Sequence, residues 1–413
     1  MLRRFFLILL FACLSLTAFN QTRNLEYYLT EGAHNSPLLN DFRNQGLSAN
    51  ADSLLIKAAR KPFVEAKSQL LYSPAYKNFG YDEIVTDGGN YTAVLSVSQN
   101  IFNRNVINNK YRSVDLQKQL VNNSSKISIK ELIRVITDQY LIAYSALSNL
   151  LFNKSFLDLI SKENEIVKQF VVKGVYKQTD YLALLVETQS QEILIKQLDN
   201  QFRKELSALN QLCGLSDSSW YELVKPELKL SGNPDISRSP YFIKYKIDSS
   251  RIETEKTTID LNYKAKINWF ADAGFLTSTP WNFYHHFGYS AGISLNIPVY
   301  DGKQRGIEKQ KLDFEQNTNS NYAVNYKKQY SMQFMQLSNE LKILNETTKQ
   351  TENQLNTSGQ LVKILKDQLE AGLIQMTEYI NAIKNYKTIN SSLNLITIQK
   401  LQIINELNFL LTQ

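Results

Sequence analysis

YTAVLSVSQNIFNRN, from Tyr91 to Asn105, alternates apolar with small or polar residues and then stops at a turn-like pair. A near echo, YSAGISLNIPVYDGK, runs from Tyr289 to Lys303, 198 residues later. A second pair of matching segments keeps the same 198-residue offset: KGVYKQTDYL places Gly174, Thr179, Asp180 and Tyr181 where AGLIQMTEYI places Gly372, Thr377, Glu378 and Tyr379. Two independent matches at one offset indicate a duplicated structural unit, and a repeat decides the architecture before any single element does.

Each alternating segment leads into a long stretch poor in helix breakers. Residues 104–173 contain neither Gly nor Pro, and Ile129, Ile133, Ile136, Tyr140, Ala143, Leu147 and Leu150 recur there at steps of three and four. That is a coiled-coil-like seam. Residues 302–371 are the counterpart, with Gly359 a late interruption. A single helix over either span would be about 100 Å long; two ordinary helices joined by an unmarked turn fit the same pattern. Residues 178–212 and 377–411 read as return helices, and 24–60 and 240–266 as two more. Gly174 and Gly372 suit the left-handed C-cap at which each long helix turns back antiparallel.

Four stretches break the helical period. Residues 62–77 place Val64, Ala66, Leu70 and Tyr72 on one face, and 91–102 do so with Tyr91, Ala93, Leu95, Val97 and Ile101. Residues 267–277 place Ile267, Trp269, Ala271, Ala273 and Phe275 together, and 289–300 use Tyr289, Ala291, Ile293, Leu295, Ile297 and Val299. These read as two hairpins. Strands of about ten residues with flanking aromatics suit an outer-membrane barrel; a soluble sheet with one solvated face has the same alternation. Four strands cannot close a barrel, and an open edge in lipid leaves backbone groups unsatisfied. Several chains would have to contribute.

The chain opens MLRRFFLILLFACLSLTAFNQT, two arginines before an apolar run, which reads as a secretory leader over residues 1–20. A rival reading lipidates Cys13. Beyond the leader only Cys213 remains, so no intramolecular disulfide is expected. The net charge of +7 is spread along the sequence without a basic run, which speaks against nucleic acid as a partner. The domain plan is thus 21–212 for the first repeat, 213–240 for an inter-repeat segment and 241–413 for the second repeat.

With these segments in order, the chain resembles the TolC-like outer-membrane efflux proteins over its whole mature length. The resemblance rests on NLEYYLTEGAHNSPLLNDFRNQ, with its Asn35-Ser36-Pro37, on LSVSQNIFNRN and ISLNIPVYDGK, and on KGVYKQTDYLALLVETQ and EAGLIQMTEYINAIKNY. It implies an α+β membrane protein in which three chains, each with long antiparallel coiled-coil helices and four amphipathic strands, complete a 12-stranded barrel and an α-helical tunnel. It also implies an equatorial region around 213–240 and the chain ends, and tips at Gly174, Val175, Gly372 and Leu373 that meet a periplasmic adaptor (a membrane fusion protein) driven by an inner-membrane pump. Pore-entrance positions carry over to Glu378, Asn381 and Asp180. Leu95, Val97, Trp269, Phe275, Ile293 and Leu295 become the lipid-facing strand residues, and the outer membrane of a Gram-negative bacterium the location. The second tip departs from the family in carrying Leu373, Ile374 and Gln375 where basic residues are common.

Catalytic motifs are sparse. The three histidines are His34, His285 and His286; the last two fall in a strand-like loop and would point apart. Cys213, before Gly214, reads as a small buried hydrophobe. There is no phosphate-cradling loop and no paired metal motif. No enzyme, cofactor or metal site is expected. Two functional classes compete: a passive export duct serving efflux or type I secretion, and a periplasmic coiled-coil adaptor or scaffold without its own barrel. An adaptor calls for a β-rich domain beside one helical hairpin, not a duplicated unit.

Overall fold

The computed structural model describes residues 22–411 except 75, 77–78, 81–87, 218 and 233. The leader, Cys13 and most of the loop between the first two long strands lie outside the described residues. The elements are β1 (Thr22–Arg23), α1 (Leu25–Asn35), α2 (Pro37–Ala58), β2 (Phe63–Ser73), β3 (Gly88–Ile101), α3 (Arg104–Val172), α4 (Gln178–Leu212), β4 (Glu222–Leu223), α5 (Pro240–Asn262), β5 (Lys266–Thr277), β6 (Phe287–Asn296), α6 (Gln304–Glu370) and α7 (Met376–Leu410), with 3-10 turns at Ile236–Arg238 and Pro280–His285. No helix among them is long and apolar enough to cross a membrane.

Several expected boundaries move, each for a stated reason. The strand expected over 62–77 ends at Ser73, because Pro74 has no N–H to give a ladder. The strand expected over 289–300 starts at Phe287 and stops at Asn296, shortly before Pro298. The helix expected over 24–60 is two helices, with extended Ser36 between them and Pro37 opening the second. The loop that carries His285 and His286 is a 3-10 turn rather than strand-like. Residues 104–172 form one uninterrupted helix of 69 residues, so an unmarked turn inside that span is excluded.

The chain divides into two compact units that cut across the sequence repeats. The first takes the described parts of Met1–Asn40, Ser125–Ser239 and Tyr326–Gln413. Its largest core joins α1, α3 and α4 through Tyr28, Ile136, Tyr140, Leu147, Leu150, Phe202, Leu206 and Leu209. The α3 seam is buried from Ile136 onward, but Ile129 and Ile133 are exposed. The α4 members of that core end at Leu209, and Ile129 and Ile133 are not among the residues packed in it. Gly32 of α1 lies against α3 so closely that a Cβ there would meet Ile136 Cδ1 at 2.3 Å. The parallel pair β1–β4 ties the start of the chain to residues 222–223. Arg23 sits 2.9 Å from Asp217 and stacks on the Tyr221 ring, and the Tyr140 hydroxyl reaches the carbonyls of Arg23 and Val224 at 3.1 and 2.6 Å. At the other terminus Lys130 Nζ donates to the carbonyls of Phe409 and Leu411, completing the end of α7.

The second unit, Asp41–Ser124 and Pro240–Asn325, holds one antiparallel sheet in the order β2-β3-β5-β6. Helices α2 and α5 and the first parts of α3 and α6 pack with one another through polar clasps. Asn109 donates to Thr254 and Thr258, Asn319 to the Tyr245 carbonyl, and Arg305 and Lys309 both pair with Asp260.

Candidate functional site

Residues paired across an antiparallel ladder share a face. The register aligns Ala66, Leu95, Ala273 and Tyr289 in one row and Val64, Val97, Ala271 and Ala291 in the next. Phe275 pairs with Ala93 and Phe287, Trp269 with Ile293, and Ile267 with Leu295. Leu95, Val97, Trp269, Phe275, Ile293 and Leu295 therefore lie on a single face. Its strand positions are apolar except Ser68, Gln99 and Thr277. Gln99 occupies the Trp269 indole N–H, 3.1 Å away, at the end of the sheet that joins the helices. The apolar face is open: Leu95 is 53% exposed, Ile293 75% and Tyr289 91%.

The opposite face carries Glu65, Lys67, Thr92, Ser96, Ser98, Asn268, Asp272, Ser290 and Ser294. Glu65, Ser96, Asp272 and Ser290 form one row across all four strands, and Lys67 pairs with Glu65 at 2.8 Å. Phe270, the aromatic on this polar side of β5, covers Gly292 so closely that a Cβ there would lie 2.6 Å from its ring. A concavity of about 610 Å³ runs over this face beside Lys67, Asp272, His285 and His286. β2 and β6 are each paired on one side only among the described strands. Among the described strands the sheet thus has one apolar face, one face that mixes its charged and polar side chains with Phe63, Leu71, Val94, Phe270 and Leu276, and two edges paired on one side only.

Both long helices turn back through the same device. At Gly174, φ is 73°, Val175 N–H bonds the Phe170 carbonyl at 2.9 Å, and Gly174 N–H bonds that of Val171 at 3.0 Å. At Gly372, φ is 71°, Leu373 N–H bonds Gln368 at 2.9 Å and Gly372 N–H bonds Leu369 at 3.0 Å. Each is a Schellman motif with glycine in the left-handed position. The two turns touch: the Tyr176 hydroxyl lies 2.7 Å from the Leu369 carbonyl and 3.3 Å from that of Ile374. A Cβ on Gly372 would meet Val175 Cγ1 at 3.2 Å. Val175 and Leu373 are both exposed.

The three residues expected at the pore entrance differ in their local ties. Asp180 is half-buried and its carboxylate accepts the Lys177 N–H at 3.0 Å, a helix N-terminal cap. Glu378, in the first turn of α7, and Asn381 are exposed. No hydrogen bond or ion pair among the described residues joins these three side chains to one another.

The sequence reading did not single out a set of polar contacts between the helices behind the tips. Glu163 of α3 is 1% exposed and meets Lys366 of α6 at 2.6 Å, which raises the lysine pKa. Lys384 of α7 pairs with Glu187 of α4 at 2.8 Å. Lys387 donates to Gln191 at 2.7 Å, and Gln191 in turn donates to Asn153. Single polar residues on amphipathic helices carry no local mark of such partners.

No group of three His, Cys, Asp or Glu side chains that could hold a metal occurs among the described residues. Cys213 is buried, and burial pushes its thiol up to about 11, away from the thiolate a nucleophile needs.

No family model and no curated protein matches the sequence. Solved structures do match. A membrane protein from Pseudomonas aeruginosa superposes with a TM-score of 0.75 at 14% identity, covering 94% of this chain and 92% of that one. The outer-membrane channel OprN gives 0.75 at 12% identity, with 94% and 89% covered. The outer-membrane channel CmeC of Campylobacter jejuni gives 0.74 at 11% identity, with 94% and 86% covered. The fold of this chain is that of the TolC-like outer-membrane channels.

Proposed function

We propose that the chain is the outer-membrane duct of a tripartite efflux or type I secretion system, a passive conduit assembled from three copies. The observation that carries this reading is the sheet. Its apolar face is exposed along four strands and its two edge strands have free ladders. Water is a poor solvent for such a face, and lipid is a poor solvent for such edges. Pairing β6 of one copy with β2 of the next satisfies both, and three copies give the 12-stranded barrel. Leu95, Val97, Trp269, Phe275, Ile293 and Leu295 then face lipid and the Glu65–Asp272 row faces the lumen. The tips at Gly174, Val175, Gly372 and Leu373 serve as the contact for a periplasmic adaptor, and Glu378 with Asn381 lines the entrance. Two helical hairpins and a membrane-suited sheet in one chain favour a duct over an adaptor or scaffold.

The test is biochemical. Outer-membrane fractions should yield a heat-modifiable trimer that conducts in planar bilayers. A monomer recovered from the soluble periplasm would overturn the reading.

A further inference from the structure

Basic residues that the sequence scatters are gathered by the topology at one end of the sheet. All four strand–helix junctions lie at that end: β2 begins there, β3 ends there, β5 begins there and β6 ends there. Taken with the element ends that flank them, the junctions span residues 57–62, 102–105, 263–266 and 297–306. They contain Lys57, Arg60, Lys61, Arg104, Lys264, Lys266, Lys303 and Arg305 against a single acid, Asp301. The whole chain has 46 basic and 39 acidic residues, so outside these short windows the two signs balance at 38 each. The entire net charge of +7 is thus accounted for at one end of one sheet. At the other end of β5 and β6, residues 278–286 contain no Lys, Arg, Asp or Glu.

The cations there are exposed and mostly uncommitted. All eight are exposed, and among the described residues only Arg305 is in an ion pair, with Asp260. Lys266 pairs with Asn296 at a polar-face position. Asp301 is occupied in capping the next helix, accepting the N–H groups of Lys303 and Arg305 at 2.9 Å each. Lys57, Arg60, Lys61, Arg104, Lys264 and Lys303 remain at that end as cations with no ion pair among the described residues. They sit just past the last apolar row, Ile101, Ile267 and Leu295, which follows the row where the Trp269 indole N–H meets Gln99. An amphipathic Trp followed by free Lys and Arg is the arrangement that a bilayer boundary favours.

We propose that this basic collar binds the headgroups of anionic glycerophospholipids in the periplasmic leaflet. The proposal rests on the outer-membrane reading above. Each phosphodiester headgroup carries one negative charge, and long Lys and Arg side chains reach from the strand ends to the phosphate plane while their stems stay against apolar surface. Such a collar fixes the depth of the barrel and orients its helical side toward the leaflet that supplies these lipids.

The experiment uses the purified full chain with vesicles of phosphatidylcholine, alone or mixed with phosphatidylglycerol or with lipid A. It compares the wild type with a variant carrying Lys57→Gln, Arg60→Gln, Lys61→Gln, Arg104→Gln, Lys264→Gln and Lys303→Gln. At low salt the wild type should insert roughly tenfold better into phosphatidylglycerol vesicles than into neutral ones, and about 0.5 M salt should remove most of that preference. The variant should show no preference yet still trimerise and conduct in neutral bilayers. Equal wild-type insertion into neutral and anionic vesicles, retention of the preference by the variant, or a stronger preference for lipid A would each overturn the collar. If the variant does not assemble, the wild-type salt response decides, and a preference that survives high salt overturns it. A wild type that neither trimerises nor conducts in any vesicle sinks the outer-membrane reading itself, and the collar with it.

Discussion

At the scale of single residues, the two turn glycines and the Asp217 clamp lend themselves to sharp tests. Gly174 and Gly372 hold φ values of 73° and 71°, a region that costs an L-residue about 1–2 kcal/mol and a β-branched one more. Nothing lies within 4 Å of a Cβ at Gly174, whereas one at Gly372 would press on Val175. Valine at either site should abolish export, with the larger local disturbance at Gly372, while insertion of the sheet proceeds. Export assays beside outer-membrane trimer yield check this, and an active Gly372→Val would remove the tips from the mechanism. Asp217 is tied by the Tyr221 hydroxyl, by the Ser219 N–H at 2.9 Å and by Arg23, and these donors hold its carboxyl far below the usual range. A depressed folded-state pKa gives stability that is present above the unfolded carboxylate value of about 3.9 and is lost as pH falls through the folded value. Thermal unfolding should therefore show an acid-labile component below about pH 4. Asp217→Asn should remove that component and lower stability at pH 7; an unaltered pH profile in this variant would show that the clamp is not linked to folding.

At the scale of elements, the period of the sequence was sufficient for type and insufficient for ends and partners. Alternation placed all six candidate face residues on one side of β3, β5 and β6 because a two-residue period leaves only one choice. The strand ends were set instead by Pro74 and near Pro298, which act through a missing donor that an apolar pattern does not register. The long helices were legible from an absence of breakers, and their turn points from glycines that proved to be left-handed. What was not legible is how the hairpin α3–α4 is held to α6–α7. Glu163 and Lys366 pair only because two helix phases coincide across residues remote in sequence. Breaking that pair should be costly because a 1%-exposed carboxylate is left without its cation. Lys366→Met should destabilise by about 1–3 kcal/mol, discounted for the exposure of the lysine, and Glu163→Gln added to it should recover much of the loss. Denaturation midpoints of the two variants check this, and additive losses would show that the ion pair is not the coupling. On the sheet, Leu95→Asp or Ile293→Asp should impair insertion by roughly 2–4 kcal/mol at mid-membrane, less for an acid than for a base. Unimpaired trimer assembly in both would mean that the apolar face is not the lipid face.

At the scale of the whole molecule, the proposed three-fold assembly converts one side chain per copy into a ring. Glu378 and Asp180 occupy equivalent places in the two repeats, six residues after Gly372 and Gly174. Sequence equivalence does not separate them, but their surroundings do. Asp180 already serves the Lys177 N–H, so much of its charge is engaged by the start of its own helix. Glu378 is exposed and has no hydrogen-bond or ion-pair partner among the described side chains, which leaves it available to the channel axis. Three such carboxylates around one axis would favour cations and offer a site for a blocking multivalent cation. Asn381, exposed on the same helix, is neutral and adds no second ring. Glu378→Gln should therefore lower cation selectivity and weaken block by trivalent cations in single-channel recordings, and Asp180→Asn should change both much less. The reverse ranking would assign the entrance to the first repeat. If Glu378→Gln left selectivity and block unaltered, no ring could be sited at Glu378, because no other side chain among the described residues engages that carboxylate.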